Sequence, residues 1–365
     1  MLVEIAIGDS YGAAFEYADP VMVKVLNDLS GYRQHPTHKE IKPGCYTDDT
    51  QMCLALANLM LCQKKPRQWT PKDIAHAFLT RFKNDRRTGY AGGFFKFLDQ
   101  TSSAEQFLAN IRPSSQKSGG AMRAPVIGLF PDPTVVVDTA MFQASITHAT
   151  QIGTTSAAVA ALLVHYFWHR KGPKSEVVDF INQWVPASHG NWGTPYRGSV
   201  GSFGWMPVHA AISAIMENNT MSGVLRASVA YTGDVDTSAA IALAAASVCD
   251  EIIQDLPDVL FQTLESGKNG MPLLVKADEL LEEKFPRPAA VAGKLEEWDE
   301  EEEVTWSPSL WHCTDCGEEV TFTEDSEPDP GQFLNCPCCG GYESLSVVGG
   351  IEPVPEPEED FDWLV

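Results

Sequence analysis

The stretch CYTDDTQMCLALA, residues Cys45–Ala57, places two aspartates, Asp48 and Asp49, at the start of an apolar helical run. Threonines flank the pair, so four oxygen-bearing side chains stand in a row before the helix. A helix cap needs only one such oxygen, and two adjacent carboxylates at one helix end repel each other. The stretch therefore poses a choice between an ordinary capped helix and a metal site.

A second cluster of the same kind lies far along the chain. In TGDVDTSAA, residues Thr232–Ala240, Asp234 and Asp236 precede another alanine-rich run and Thr237 follows them. One such cluster alone is usually a cap, but two clusters denser than capping requires favour a cation that offsets their charge. All-oxygen ligands suit a hard ion, so we expect Mg²⁺, with Mn²⁺ or Ca²⁺ as substitutes. Four aspartates and the threonine hydroxyls offer enough oxygens for two ions.

The chain around these clusters is predicted to be helical. Apolar residues at helical spacing, such as Met52, Leu56 and Leu59, recur in runs rich in alanine and leucine, and alternating strand patterns are scarce. Loops containing glycine and proline separate these runs. We therefore expect an all-α domain over residues 1–288. The predicted helices are Thr50–Cys62, Pro71–Phe82, Thr155–Trp168, Ser175–Val185, Pro207–Glu217, Ser222–Tyr231 and Thr237–Ile253.

Charge divides the chain into two parts. The first 289 residues hold 28 acidic and 25 basic residues, whereas residues 290–365 hold 21 acidic residues and one basic residue, Lys294. This asymmetry indicates a change of module, with an acidic linker at 289–305 and an acidic tail at 349–365. A broad nucleic-acid-binding face needs clusters of Lys and Arg, so nucleic acid is not an expected partner.

The apolar content bears on location. The 365 residues are 44% hydrophobic, enough for a sizeable core. No apolar run approaches the ~20 residues of a transmembrane helix, and the first residues lack the basic region of a signal peptide. We therefore expect a cytoplasmic protein that does not enter a membrane.

Between the two acidic segments, residues 306–348 carry a cysteine pattern typical of a zinc ribbon. Two CxxC pairs, CTDCG and CPCCGG, are separated by nineteen residues and predict Cys313, Cys316, Cys336 and Cys339 as ligands. Four thiolates leave no open position, so this Zn²⁺ would be structural. Disulfides are the weaker alternative in a cytoplasmic chain. Because the module and tail are acidic, we expect them to contact a protein partner.

The ordered motifs of the helical part resemble the ADP-ribosylglycohydrolase family. Each motif alone is weak, but the ordered set is specific and spans roughly residues 5–253. The resemblance implies an all-α fold with a binuclear Mg²⁺ centre. The motifs are GDSYGAAFE (8–16), TDDT (47–50), GYAGG (89–93), GGAMR (119–123), ITHAT (146–150), SFGWMPVHAA (202–211) and GDVDTSAA (233–240).

The resemblance also implies roles for single residues. Glu16 would transfer a proton or position the attacking water, and Asp49 is the alternative proton acceptor. The implied metal ligands are Thr47, Asp48, Asp49, Asp234, Asp236 and Thr237. The implied substrate contacts are Tyr90, Gly92, Ser118, Gly119, Gly120, Met122 and His148.

Four residues depart from that pattern or have a less specific role. Ser118 and Thr232 stand where the family more usually has Asn and Gly. Arg123 is predicted either to contact a phosphate or to bridge helices. Asp9 is predicted to hold the first helix and the surroundings of the metal site in place.

The predicted activity is release of ADP-ribose from a modified protein side chain or from an ADP-ribosyl small molecule. The glycosidic bond would break through an oxocarbenium-like transition state. One alternative is the same fold acting on another ribosyl conjugate. Another is a catalytically silent binding or adaptor protein, which predicts loss of metal ligands, and none of the six implied ligands is lost.

Overall fold

The structure is a computed structural model that describes residues 1–62, 65–185 and 191–289, together with three strands nearer the C-terminus. The chain divides into two compact units, Met1–Ala290 and Val291–Val365. Within the described part of the first unit, regular structure is helical and no β-strand occurs, which confirms the predicted all-α class. None of the described helices is both long and apolar enough to cross a membrane.

The first unit contains α-helices joined by loops and short 3₁₀ turns. The helices are α1 (Leu2–Ala13), α2 (Pro20–Leu26), α3 (Asp48–Leu61), α4 (Pro71–Asn84), α5 (Gly92–Gln100), α6 (Ala104–Asn110), α7 (Pro133–His148), α8 (Gln151–Trp168), α9 (Val177–Trp184), α10 (Trp205–Met216), α11 (Met221–Ala230), α12 (Val235–Ala246), α13 (Asp258–Gln262) and α14 (Met271–Lys284). The 3₁₀ turns are Pro66–Gln68, Ser118–Gly120, Pro125–Leu129 and Lys174–Glu176.

All seven predicted helices are present, but the predicted end of the last one is wrong. Helix α12 ends at Ala246, whereas the pattern predicts helix to Ile253. Beyond Ala246 the backbone tightens, and the Cys249 N–H donates to the carbonyl of Ala246 three residues earlier. Asp250 follows at once and is bound by Arg287, which holds the chain in a turn.

Two helices form the centre of the core. Helix α8 buries every residue from Thr155 to Trp168, and α12 is buried along its whole length. A helix that is apolar on all sides is stable only when it is surrounded. The alanines of α12 have short side chains, so neighbouring helices can approach its axis closely.

Helix α1 lies directly against α12 because two glycines, one helical turn apart, remove side chains from the contact. A Cβ on Gly12 would lie 2.5 Å from the Cα of Asp236, and a Cβ on Gly8 would lie 2.5 Å from the carbonyl oxygen of Ala239. Any side chain there would force the helices apart. The close packing brings the end of α1, and with it Glu16, to the start of α12.

The described part of the second unit is a three-stranded antiparallel sheet. Strand β1 (Ser309–Cys313) pairs with β2 (Glu319–Phe322) on one side and with β3 (Leu345–Val347) on the other. The side chain of Cys313 and all of Cys316, Cys336 and Cys339 lie outside the described residues. The zinc ribbon, the acidic linker and the acidic tail therefore stay predictions.

Candidate active site

A cavity of about 560 Å³ in the first unit receives side chains from both acidic clusters. Its lining includes Glu16, Asp48, Asp49, Asp234 and Asp236, which come from the end of α1 and the starts of α3 and α12. The fold thus brings together five carboxylates that are up to 220 residues apart in sequence. Thr237 and the predicted substrate residues Ser118, Gly119, Met122 and His148 line the same cavity.

Four other predicted site residues are not among the lining residues. Thr47 and Tyr90 are buried, and the Tyr90 hydroxyl donates to Gln51 Oε1 at 2.5 Å. Gly92 begins α5, and Gly120 is buried in the 3₁₀ turn beside the cavity. Their roles stay predictions.

The start of α3 is not capped by its own side chains. Thr47 occupies the N-cap position without a side-chain cap, and Asp9 of α1 supplies the acceptor instead. The Asp9 carboxylate accepts the backbone N–H groups of Thr47 and Thr50 at 2.9 and 3.0 Å, and both hydroxyls at 2.8 and 2.6 Å. Because Asp9 does the capping, the carboxylates of Asp48 and Asp49 are free to face the cavity.

The start of α12 is shaped by a left-handed turn. Thr232 and Gly233 have φ of 64° and 89°, and a β-branched threonine rarely adopts this region. Val200 clamps the turn, since its N–H donates to the Thr232 carbonyl at 2.8 Å and its carbonyl accepts from the Asp234 N–H at 2.9 Å. Asp234, the N-cap residue, makes no side-chain cap, so its carboxylate also faces the cavity.

Glu16 completes a group of three converging carboxylates with Asp234 and Asp236. One oxygen from each lies within 4.8 Å of the other two. The Tyr17 N–H donates to the Gly233 carbonyl at 2.9 Å, which ties the end of α1 to the turn before α12. This spacing matches carboxylates that share one cation.

Burial and mutual repulsion raise the pKa values of the four site aspartates. Burial first, and then the charge of Glu16, raises the pKa of Asp234 to about 6. The pKa of Asp236 is raised well above its usual value by burial first and then by Glu16. Burial and the neighbouring Asp9 do the same to the pKa values of Asp48 and Asp49. So many buried carboxylates require protons or a cation to offset their charge.

The donor set fits a hard divalent cation. Within the described chain, the buried Oδ1 of Asp49 has no hydrogen-bond partner, so it has an open lone pair for an ion. The Thr47 hydroxyl gives its proton to Asp9 and keeps its own lone pairs for coordination. The Thr237 side chain contacts Asp49 and so links the two helix starts. Carboxylate and hydroxyl oxygens are what Mg²⁺ and its substitutes prefer.

The Ser118–Arg123 segment forms another part of the cavity lining. The Ser118 hydroxyl donates to Asp234 Oδ2 at 3.0 Å, so the residue that replaces the family's usual Asn is bonded to the acidic cluster. The Arg123 guanidinium donates to Gln143 at 2.6 Å and to the Thr147 hydroxyl at 2.8 Å. Arg123 thus bridges to α7, one of its two predicted roles, while also lining the cavity.

His148 is held neutral in the same part of the lining. Burial first, and then the charge of Arg123, lowers its pKa to about 3. Its Nδ1 lies 2.6 Å from the Thr147 hydroxyl, and the edge of the ring with Cε1 and Nε2 faces Gly119. A neutral imidazole can bind a substrate hydroxyl or phosphate oxygen but cannot supply a positive charge.

Sequence reasoning missed several residues of this site. His35 is buried and its Nε2 lies 2.9 Å from Glu16 Oε2, but a single histidine in a loop carries no pattern that reveals this. The exposed cations Arg112 and Lys117 line the cavity, and Lys117 immediately precedes the predicted substrate contacts Ser118, Gly119 and Gly120, which was a usable signal. Phe94 and Phe97 of α5 add aromatic surface.

Comparisons with known proteins agree with this architecture. A model of the ADP-ribosylglycohydrolase family matches residues 1–290. The chain is similar to a solved structure described as an ADP-ribosylglycohydrolase-related protein complex, with a TM-score of 0.53 and 20% identity over 77% of this chain and 93% of that chain. This likeness shows a shared fold.

Curated relatives include ADP-ribosylhydrolase ARH3 from three vertebrates. The Bos taurus protein is 31% identical over 171 residues, covering 44% of this chain and 46% of the relative. The Homo sapiens protein is 30% identical over 177 residues, with the same two shares of 44% and 46%. The Danio rerio protein is 29% identical over 195 residues, which is 50% of each. The chain spans about half the length of the curated relatives it matches.

Proposed function

The chain belongs to the ADP-ribosylglycohydrolase family, and from this premise we propose that it is a Mg²⁺-dependent hydrolase that cleaves the glycosidic bond between ADP-ribose and a protein side chain. The observation that carries the proposal is the convergence of five carboxylates in one cavity. Its relatives named ADP-ribosylhydrolase support ADP-ribose as the group released.

The metal site of the proposal uses both helix starts. Thr47, Asp48 and Asp49 would hold one side of a two-ion centre, and Asp234, Asp236 and Thr237 the other. When bound, the ions would orient the ribose hydroxyls and offset negative charge beside the anomeric carbon. Asp9 fixes the α3 side by accepting the Thr47 and Thr50 protons.

Other lining residues of the cavity would bind the rest of the substrate. A cavity of about 560 Å³ lies within the range typical of small-molecule sites. Arg112 and Lys117 are exposed cations at this cavity and would attract the diphosphate. Phe94 and Phe97 would pack against the adenine base.

Glu16 is the proposed proton acceptor. Water adds to the anomeric carbon as the glycosidic bond breaks; one proton of the water passes to a nearby base, and the leaving side-chain atom takes up a proton in return. The Glu16 side chain is 24% exposed, so water can reach it, and one of its oxygens lies near Asp234 and Asp236. Asp49 is more deeply buried, which suits a ligand better than a base exchanging protons with solvent.

The test is release of free ADP-ribose from arginine-, serine- and ester-linked substrates, measured with Mg²⁺ and with EDTA. We expect release only with metal, and its loss in Asp48→Ala plus Asp49→Ala. The matched control is Asp138→Ala plus Asp179→Ala, which removes two exposed aspartates outside the cavity. The control should keep full activity.

Two outcomes would redirect the proposal. Release from a ribosyl conjugate other than a protein adduct would keep the hydrolase and change its substrate. No release from any substrate, by folded protein that binds Mg²⁺, would contradict hydrolysis and favour a binding or adaptor role.

For the second unit we propose a structural Zn²⁺ held by Cys313, Cys316, Cys336 and Cys339. The support is the spacing of the two CxxC pairs, which is typical of four thiolate ligands to one Zn²⁺. Metal analysis of the purified chain should find Zn²⁺ that is lost in Cys336→Ser plus Cys339→Ser. Zinc content unchanged in that variant would overturn the assignment.

A further inference from the structure

The loop between α2 and α3 delivers a buried histidine to Glu16. His35 is 3% exposed, although its loop contains no helix or strand. Its Nε2 lies 2.9 Å from Glu16 Oε2. The Glu16 side chain, in contrast, is 24% exposed and extends from the turn after α1. A long, partly exposed glutamate is thus in contact with a side chain that has almost no freedom of its own.

Backbone contacts of the loop fix the protonation state of this ring. The N–H groups of Thr37 and His38 both point at His35 Nδ1, at 3.1 and 3.0 Å. Both are donors, so Nδ1 must present a lone pair and cannot carry a proton. The proton of the neutral ring therefore sits on Nε2 and is donated to Glu16. The loop forms the same kind of turn that an aspartate or asparagine makes with the next backbone amides.

The hydrogen bond occupies one oxygen of Glu16 and leaves the other available. Glu16 also contributes an oxygen to the group within 4.8 Å of Asp234 and Asp236. Without a fixed donor, a glutamate would turn among several rotamers and away from two negatively charged neighbours. A neutral N–H donor holds the carboxylate against this repulsion.

We propose that His35 is a positioning residue for Glu16: its Nε2–H holds one carboxylate oxygen so that the other stays directed at the reaction. The inference rests on the proposed hydrolase function for its catalytic consequence, and on the hydrogen bonds alone for the contact. His35 touches neither substrate nor metal in this role. It acts only through Glu16.

The decisive variant is His35→Asn, because asparagine keeps the turn and loses the contact. Its Oδ1 can accept the Thr37 and His38 amides as Nδ1 does, but it is too short to reach Glu16. His35→Gln should instead keep the contact with Glu16 and lose the turn, since its amide nitrogen can lie near the position of Nε2. The matched control is His38→Asn in the same loop, where the side chain is 55% exposed and pairs with Glu40.

We expect His35→Asn to lower kcat about 10- to 100-fold, the usual effect of removing a residue that orients a reacting group, with KM changed less than about twofold. His35→Gln should recover part of kcat, and His38→Asn should match the parent. In the Glu16→Gln background, His35→Asn should cause no further loss, because it acts through the residue already removed. The proposal would be overturned if Glu16→Gln and His35→Asn lowered kcat independently, so that their fold losses multiplied in the double variant. A kcat of His35→Asn within twofold of the parent would also overturn it.

A spectroscopic readout separates this inference from the hydrolase proposal. Long-range ¹H–¹⁵N spectra of histidine-labelled full-length protein should show His35 protonated on Nε2 only, with its Nε2 resonance moving in Glu16→Gln. This result would support the contact even if no substrate is turned over. A ring protonated on Nδ1, or one insensitive to Glu16→Gln, would overturn it whatever the activity.

Discussion

The start of α3 and the start of α12 reach the same cavity by different means. At α3 the helix is capped from outside, by the buried carboxylate of Asp9 on α1. At α12 no side chain among the described residues outside the helix caps its start, and a left-handed turn at Thr232 and Gly233 directs Asp234 instead. The first arrangement is rich in hydrogen bonds, and the second stores backbone strain.

The difference indicates where a cation would be held most tightly. Glu16 converges with Asp234 and Asp236 at the α12 side. Within the described residues, Asp48 and Asp49 belong to no such three-carboxylate group. The α3 side is thus the hydrogen-bonded frame, and the α12 side is where three carboxylates converge. Substitutions at the α12 side should therefore mainly lower activity, and loss of the Asp9 cap at the α3 side should mainly lower stability.

The largest effect is expected on activity, at the α12 side. Asp236→Asn should lower kcat/KM about 10³-fold, because bound metal contributes several kcal/mol of transition-state stabilisation. Asp48→Asn, at the half-buried α3 position, should lower kcat/KM only about 10²-fold. Steady-state assays with saturating Mg²⁺ test the order, with Asp138→Asn as an exposed control. Equal losses at the two positions would break the comparison.

The next effect is on stability, where the α3-side substitution should be the damaging one and the α12-side substitution should stabilise. Asp9→Ala leaves the buried N–H groups of Thr47 and Thr50 without an acceptor and should cost about 3 kcal/mol of unfolding free energy. Asp236→Asn removes a repelled charge and should stabilise the metal-free protein by about 1 kcal/mol. Urea unfolding in EDTA measures both. A stabilising Asp9→Ala would contradict the assignment of α3 as the frame.

The pH dependence of the metal-free protein gives a related prediction. The pKa of Asp234 is raised by burial and by Glu16 from 3.8 to about 6 in the folded state. The folded protein therefore retains this proton between those pH values while the unfolded chain loses it. Stability in EDTA should fall as pH rises through this window, by at most about 3 kcal/mol from this group. Asp234→Asn should flatten the fall, and a rise over the same window in the parent would contradict it.

The smallest effect concerns the strained turn. Thr232→Gly removes a β-branched side chain from the left-handed region and should stabilise the protein by about 0.5–1 kcal/mol, with activity within about twofold. Thr263→Gly, where φ is −108°, is the matched control and should destabilise by a similar amount. Thermal unfolding distinguishes the two. A loss of stability in Thr232→Gly would mean that its side chain contributes more than the strain costs.

Local patterns predicted the all-α class and the positions of the main helices because helical spacing and alanine content are local properties. The two acidic clusters alone predicted a cation, but the ligand role of each residue in TDDT and GDVDT came only from the resemblance to a family. The helix end at Ala246 was missed because Asp250, which follows it, is held by Arg287, a residue distant in sequence. The role of Asp9 as an outside cap was foreseen only in general terms. His35 could not be found, since its function depends on two backbone amides and a glutamate nineteen residues away.

The most direct measurement is calorimetric titration of Mn²⁺, as a substitute for Mg²⁺, into metal-free protein and into Asp236→Asn and Asp48→Asn. We expect the parent to bind the ion, Asp236→Asn to lose the tightest site, and Asp48→Asn to retain it with weaker affinity. No binding to the folded parent would contradict a carboxylate metal centre. Retention of the tightest site in Asp236→Asn would contradict its location at the start of α12.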